Sequence, residues 1–263
     1  MNIIVCIKQV PDTTEVKIDP KTGRLIREGV PSIINPEDKN ALEEALRIKE
    51  KNNANIVVLT MGPPQAEDAL REALAMGADE GILLSDIKFA GSDTWATANA
   101  LAGAVKTIGN YDLILCGRQA IDGDTAQVGP QLAEALGVAQ ISYAQKIDLS
   151  NDKVKVEREL EDGYEVIEAK LPSLITCTLS LNEPRYPTLQ GIDGAFDKEI
   201  KKWSAKDVKV AEDKVGLKAS PTMVKKTFTP GAKGQGVMLN GSVKEVALEL
   251  IKKLKEKELI KQF

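Results

Sequence analysis

The chain has 263 residues, 43% hydrophobic and 28% charged, with a formal net charge of −4. That apolar content supports one large domain, or a domain with an appendage, without help from metals or disulfides. Interspersed charges of both signs and only 4% aromatic residues argue against a nucleic-acid surface.

The chain opens on an apolar run, Asn2–Lys8, that reads as a strand with no cleavable leader before it. Gln9–Asp12 is a turn-rich exit, and Val16–Arg27 is expected to make a small hairpin around Pro20-Lys21-Thr22-Gly23. Asn35-Pro36-Glu37-Asp38 is a helix start: Asn35 suits the cap, Pro36 the first position, and two acids complement the dipole. Leu42, Ala45 and Leu46 form its apolar stripe. The next strand, Asn55–Thr60, ends at Met61-Gly62-Pro63-Pro64 and is followed by a helix that stops at Gly77. Gly81–Leu84 is a third strand.

Phe89–Thr94 leads into a helix carrying Trp95, Ala98, Leu101, Ala102 and Val105 and ending at Gly109. Ser92, Asp93 and Thr94 all suit a helix cap, and the same donors can hold a pyrophosphate. Both readings stand. Asp112–Gly137 then gives strand, loop and helix: Leu113–Cys116, a Gly- and Asp-rich segment, and a face of Val128, Leu132, Ala135 and Leu136. The loop combines backbone N–H groups, two Asp side chains and a helix N-terminus, which suits a nucleotide. Pro130 lacks an N–H, so either the helix begins late, near Val128, or its first turn is distorted. Alternating strands and helices predict an α/β fold with a doubly wound, mainly parallel sheet, whose ligands bind at the carboxyl ends of the strands.

Beyond Gly137 the texture changes. Ile141–Leu149, Lys153–Leu160 and Glu165–Leu171 read as an antiparallel excursion turning at Asp162-Gly163, and Leu174–Leu179 can rejoin the sheet. Asn182–Gly194 is expected to be a surface loop, and Ile200–Gly216 a charged segment with a weak helical period. The domain is expected over residues 1–228. Residues 229–263 form a glycine-rich linker and an amphipathic helix, Val243–Lys261, which either folds back or docks on a partner.

Histidine is absent, which excludes Ser-His and Cys-His nucleophiles and His-ligated metal sites within this chain. Redox chemistry would fall to an organic cofactor. Cys6, Cys116 and Cys177 each sit inside an apolar run, the pattern of reduced, buried thiols in a cytoplasmic protein. No run is long enough for a membrane span. There is no P-loop and no GxGxxG after the first strand, and the Gly231–Gly236 run reads as linker.

Several motifs in order carry a family resemblance: Lys8 after the first strand, Asn35-Pro36, Ala73–Asp79, and Gly117-Arg118-Gln119-Ala120-Ile121-Asp122 followed by Asp124 and Gln127. Val156–Glu165 through Leu171–Thr176 is the most specific, and Leu181–Tyr186 then opens what looks like a partner-recognition loop. The chain resembles the beta subunit of electron transfer flavoprotein over nearly its whole length. The resemblance implies a heterodimer with an FAD-carrying alpha subunit, and a nucleotide in the beta subunit. Ordinary members hold a structural AMP there. Electron-bifurcating members hold a second FAD, reduced by NADH. That FAD sends electrons to the alpha-subunit FAD and an acyl-CoA dehydrogenase-type flavoenzyme, and to ferredoxin or flavodoxin.

Gly123 and Ala126 stand where ordinary members tend to have an acid and Asn, and the Gly91–Thr94 helix start resembles the bifurcating type, so FAD is expected. Gly191–Asp197 replaces the lysine-rich segment of ordinary members. The resemblance places the adenosine near Cys6, Asn35 and Met61, with Lys8 and Glu37 on loops facing the ring. Ribose and phosphate fall to Gln119, Ala120, Asp122, Gly123, Asp124, Thr125 and Gln127 with the Val128 and Gly129 amides. The pyrophosphate falls to Ser92, Asp93 and Thr94. Tyr186 and Leu189 are expected to meet the dehydrogenase partner.

Overall fold

The computed structural model describes residues 1–12, 31–225 and 236–260. The hairpin expected at Val16–Arg27 lies outside them. The chain divides into two compact units, Met1–Lys225 and Lys226–Phe263.

The larger unit begins with β1 (Asn2–Cys6), β2 (Gln9–Pro11), β3 (Ser32–Ile34) and α1 (Pro36–Asn52). β4 (Asn55–Met61), α2 (Glu67–Met76), β5 (Glu80–Leu84), α3 (Thr94–Ile108), β6 (Leu113–Gly117) and α4 (Val128–Leu136) follow. Then come β7 (Ala139–Ser150), β8 (Lys153–Leu160), β9 (Gly163–Lys170), β10 (Ser173–Cys177), α5 (Leu189–Asp197), β11 (Ile200–Trp203) and the short α6 (Gly216–Ala219).

A nine-stranded sheet runs in the order β11-β5-β4-β1-β6-β10-β7-β8-β9. It is parallel from β11 to β7, and β8 and β9 continue it antiparallel. Side chains alternate across it. Ile3, Val5, Leu113 and Leu115 face a layer containing α1, α2 and α5, while Ile4, Cys6, Ile114 and Cys116 face α3 and α4. Covering both faces requires apolar residues at every position, which is why the strands read as unbroken hydrophobic runs. The expected doubly wound α/β fold is observed.

Three segments differ from their sequence reading. Gln9–Pro11 is not merely a turn; it pairs antiparallel with Ser32–Ile34. Leu189–Gly194, read as loop, belongs to α5. Two glycines lower its helical propensity, but Thr188 caps it by accepting from the Gly191 amide at 3.0 Å. Gly191 also lies where a Cβ would strike the Ala75 carbonyl oxygen, so its side-chain absence is a packing requirement. Arg71 then fastens the helix end, donating to the carbonyls of Ala195 and Lys198 at 2.5 and 2.8 Å.

The Ile200–Gly216 segment begins not as a helix but as β11, parallel to β5 on the sheet edge. Ile200 is buried there while Lys201 pairs with Glu80 at 2.7 Å. The smaller unit contains α7 (Val243–Glu256), opened by a capping box in which Ser242 and Glu245 exchange bonds. No helix among the described residues is long and apolar enough to cross a membrane.

Candidate functional site

After β1 the chain adds β4 and β5 on one side, then returns to place β6 on the other side of β1. That reversal opens a crevice beyond the carboxyl ends of β1 and β6, the position where doubly wound sheets bind ligands. A cavity of about 430 Å³ lies there, with Cys6, Cys116 and Gly117 among its lining. Its size falls in the range of small-molecule sites, roughly 300–1,000 Å³. The loop Gly117–Gln127 and the starts of α3 and α4 complete the wall, and Met61, Phe89 and Leu101 give it an apolar side.

The loop is held from behind by the first turn of α1. Alternate loop amides, Gly117, Gln119 and Ile121, donate to Asp38 Oδ1 (2.8 Å), Glu37 Oε2 (2.9 Å) and Asn35 Oδ1 (3.0 Å). Asn35 also donates to the Gln119 carbonyl at 2.8 Å. The residue at the N-cap position therefore makes no side-chain cap bond. Both of its polar atoms serve the loop. Arg118 pairs with Glu37 Oε1 at 2.8 Å, and the Lys8 amide donates to Asp38 Oδ2 at 2.8 Å.

Burial dominates the electrostatics of this turn. It pushes the Asp38 carboxyl up to about 7, against the amides of Gly117 and Lys8 that favour its charged form. Burial also raises Glu37, opposed by the Gln119 amide and Arg118. The Cys6 thiol is driven to about 12 by burial, with Asp38 adding to the effect, and Cys116 is raised well above its ordinary value. These thiols are apolar floor, not nucleophiles.

The start of α4 is open. Its N-cap, Gln127, makes no side-chain cap bond, and Pro130 has no N–H. The Val128 and Gly129 amides precede any intrahelical acceptor, and both residues line the cavity. The helix does begin late, at Val128. Gly129 is held close to the strands: a Cβ there would come within 2.5 Å of Thr176 Cγ2 and 3.1 Å of Cys116 Sγ. Two loop residues, Asp124 and Ala126, have left-handed backbones with φ of 52° and 54°.

The Ser92–Asp93–Thr94 trio is divided by the structure. Asp93 caps α3 through the Ala96 amide at 3.0 Å and receives the Thr222 amide and hydroxyl at 3.0 and 2.8 Å. Ser92 donates to the Phe89 carbonyl at 2.7 Å and accepts from the Gly216 amide at 3.1 Å. Both line the cavity, yet their side chains serve the fold. Thr94 alone reaches across, donating to Gln127 Oε1 at 3.2 Å and joining the starts of α3 and α4.

Of the expected cofactor residues, all but Asn35 and Asp122 line the cavity. Asn35 is completely buried and is not part of the lining; its side chain engages the loop that forms the wall. Asp122 holds Lys8 through both carboxylate oxygens at 2.6 and 2.8 Å. Reading by residue type missed Thr97 and Leu101 on the wall. They follow Thr94 at helical spacing, which was a legible signal.

Tyr186 and Leu189, outside the cavity lining, are 90% and 87% exposed. The segment leading to them is tied to α1: Arg185 Nε donates to Glu43 Oε2 at 2.8 Å, and Asn40 Nδ2 to the Asn182 carbonyl at 2.6 Å.

Fold and cavity define a doubly wound α/β protein with a small-molecule crevice at its switch point. The family model described as "Electron transfer flavoprotein domain" matches residues 22–208. The chain is 56% identical over 260 residues to the electron transfer flavoprotein subunit beta of Clostridium acetobutylicum, covering 99% of this chain and 100% of the relative. It is 55% identical over 262 residues to the caffeyl-CoA reductase-Etf complex subunit CarD of Acetobacterium woodii (99% and 100%). It is 49% identical over 268 residues to the acryloyl-CoA reductase electron transfer subunit gamma of Anaerotignum propionicum (99% and 100%). The chain belongs to the electron transfer flavoprotein family, among the beta subunits of electron transfer complexes.

Proposed function

We propose that this chain is the beta subunit of a cytoplasmic, electron-bifurcating electron transfer flavoprotein and that its cavity holds FAD. The observation that carries this reading is the pair of helix starts, α3 and α4, facing one cavity and joined by Thr94 and Gln127 at 3.2 Å. One helix N-terminus suffices for a single phosphate; two suit a pyrophosphate. The open amides of Val128 and Gly129 supply donors, and nothing lies within 4 Å of where a Gly123 Cβ would be. Relatives named for caffeyl-CoA reductase and acryloyl-CoA reductase complexes support the same direction.

In this reading Val128, Gly129 and Thr94 bind the phosphates, and the Gly117–Gln127 loop holds the ribose. Cys6, Met61 and Phe89 shield the ring systems from water. Asn35, Glu37 and Asp38 keep the loop in its bound shape. FAD held there would supply hydride-accepting and one-electron chemistry, linking NADH to the alpha-subunit FAD with an acyl-CoA dehydrogenase-type flavoenzyme and to ferredoxin or flavodoxin. Tyr186 and Leu189 present an apolar contact to that flavoenzyme, and the arm of residues 229–263 docks on the alpha subunit.

The test is the nucleotide content of the co-purified heterodimer, by absorbance and chromatography after denaturation. Two FAD per heterodimer is the expected result. One FAD with one AMP would overturn the FAD assignment and leave a structural AMP subunit.

A further inference from the structure

The cavity carries a cation that neither the fold nor the ion pairs consume fully. Among the described residues, Lys8 and Arg118 are the basic residues on its wall. Lys8 is held by both oxygens of Asp122 at 2.6 and 2.8 Å. Arg118 is held differently. Its Nη2 meets Glu37 Oε1 at 2.8 Å, its Nε is enclosed without a hydrogen-bond partner, and Nη1 makes no hydrogen bond among the described residues. A buried donor without a partner is unfavourable, so this guanidinium is placed where it is for some other return.

The second observation is Tyr143. Its ring centroid lies 5.6 Å from the Arg118 guanidinium carbon. Its φ is 62°, a left-handed backbone that an aromatic residue rarely adopts. It sits in a bulge: β7 advances from Ile141 to Ala144 while β10 advances only from Ile175 to Cys177. The Tyr143 amide is received by Thr176 Oγ1 at 3.0 Å. Bulges beside binding sites re-aim side chains. Here the strained residue is aimed at the guanidinium face, which it holds by cation–π attraction. With one face on Tyr143 and Nη2 on Glu37, Nη1 is the terminal nitrogen left without a hydrogen bond among the described residues, on a side chain that lines the cavity.

We propose that Arg118 is a ligand-binding residue of the cavity, donating through Nη1 to a negatively charged acceptor of the bound nucleotide, and that Tyr143 is its positioning residue. The acceptor is either a phosphate oxygen or the edge of a ring that gains negative charge on reduction. The proposal rests on the cavity holding a nucleotide, and not on that nucleotide being FAD.

The test uses the full heterodimer, stripped of nucleotide and titrated with AMP and with FAD by calorimetry, with the reduction potential of the rebound flavin as a second readout. A phosphate contact predicts roughly ten- to hundredfold weaker binding of both AMP and FAD to Arg118→Gln, the range for a charge-assisted hydrogen bond. A ring contact predicts unchanged AMP affinity and a more negative potential for the flavin in the same variant. Tyr143→Phe should behave as the native protein, whereas Tyr143→Ala should reproduce part of the Arg118→Gln loss. Arg118→Lys, which retains a charge for Glu37 but not the fork, gives the same readout should Arg118→Gln fail to fold. Native AMP and FAD affinities together with a native potential in both Arg118 variants would overturn the proposal, leaving Arg118 as a tether for Glu37. Binding of AMP but not FAD by the native protein would overturn the FAD reading while leaving the AMP arm of this test intact.

Discussion

Asn35 and Gln119 are joined across 84 positions of sequence, the Asn35 amide donating to the Gln119 carbonyl at 2.8 Å. Asn35→Ala would remove this bond and the one from the Ile121 amide, leaving buried backbone groups unpaired. The expected loss is about 2–3 kcal/mol in chemical unfolding. The smaller effect of a plain helix cap, about 1 kcal/mol, would mean that the loop finds other partners. Nucleotide affinity should fall with it.

Asp38 gives the first turn of α1 a pH signature. Its folded carboxyl titrates near 7, against an ordinary value of 3.8. Between those values the native state holds a proton that the unfolded chain has released. Its contribution to stability is therefore present at low pH and lost as pH rises through 7. Asp38→Asn should flatten the stability profile between pH 4 and 7 relative to the native protein. The slope removed amounts to a few kcal/mol across that window, on the order of 1.4 kcal/mol per unit. Denaturant unfolding at several pH values measures it; parallel profiles for the two proteins would refute it.

Gly129 fixes how closely α4 approaches the strands. Gly129→Ala would overlap the Thr176 methyl, at 2.5 Å, and should destabilise by about 1–3 kcal/mol while shifting the open amides away from the cavity. Thr176→Ser removes that methyl but keeps the hydroxyl that receives the Tyr143 amide. The double variant should recover much of the loss, a coupling that a mutant cycle reads directly. Additive effects would place the strain elsewhere.

Ser92 and Thr94, adjacent in type and nearly in sequence, should separate in experiment. Thr94→Ala should weaken nucleotide binding several-fold with little change in unfolding free energy. Ser92→Ala should do the reverse, costing about 1 kcal/mol through its bonds to Phe89 and Gly216. Equal effects of both on binding would restore the whole trio as ligands.

The sheet was legible because strands buried on both faces need apolar residues throughout, and its helices because caps, prolines and terminal glycines punctuate them. Pro130 narrowed α4 to a late start or a distorted first turn, and the helix takes the late start. The cavity wall was largely readable from residue types, since open amides and small residues announce themselves locally. What stayed hidden depends on distant partners. Asn35 read as a helix cap, because nothing local shows the loop that takes both its polar atoms. α5 and β11 were missed for the same reason: Arg71, the Ala75 carbonyl and the β5 edge stabilise them from far along the chain. Tyr143 looks like any strand aromatic until its bulge is seen.

α1 carries two sets of fastenings on successive turns. Asn35, Glu37 and Asp38 grip the cavity loop, and Asn40, Glu43 and Glu44 grip Asn182 and Arg185 ahead of exposed Tyr186. A single residue inserted between Asp38 and Asn40 would swing the second set about 100° around the helix axis. The two surfaces thus share one ruler. Sequence drift can alter the side chains at either end, but a changed length of helix between them would break one set of contacts, and relatives of this chain should align without gaps in this stretch.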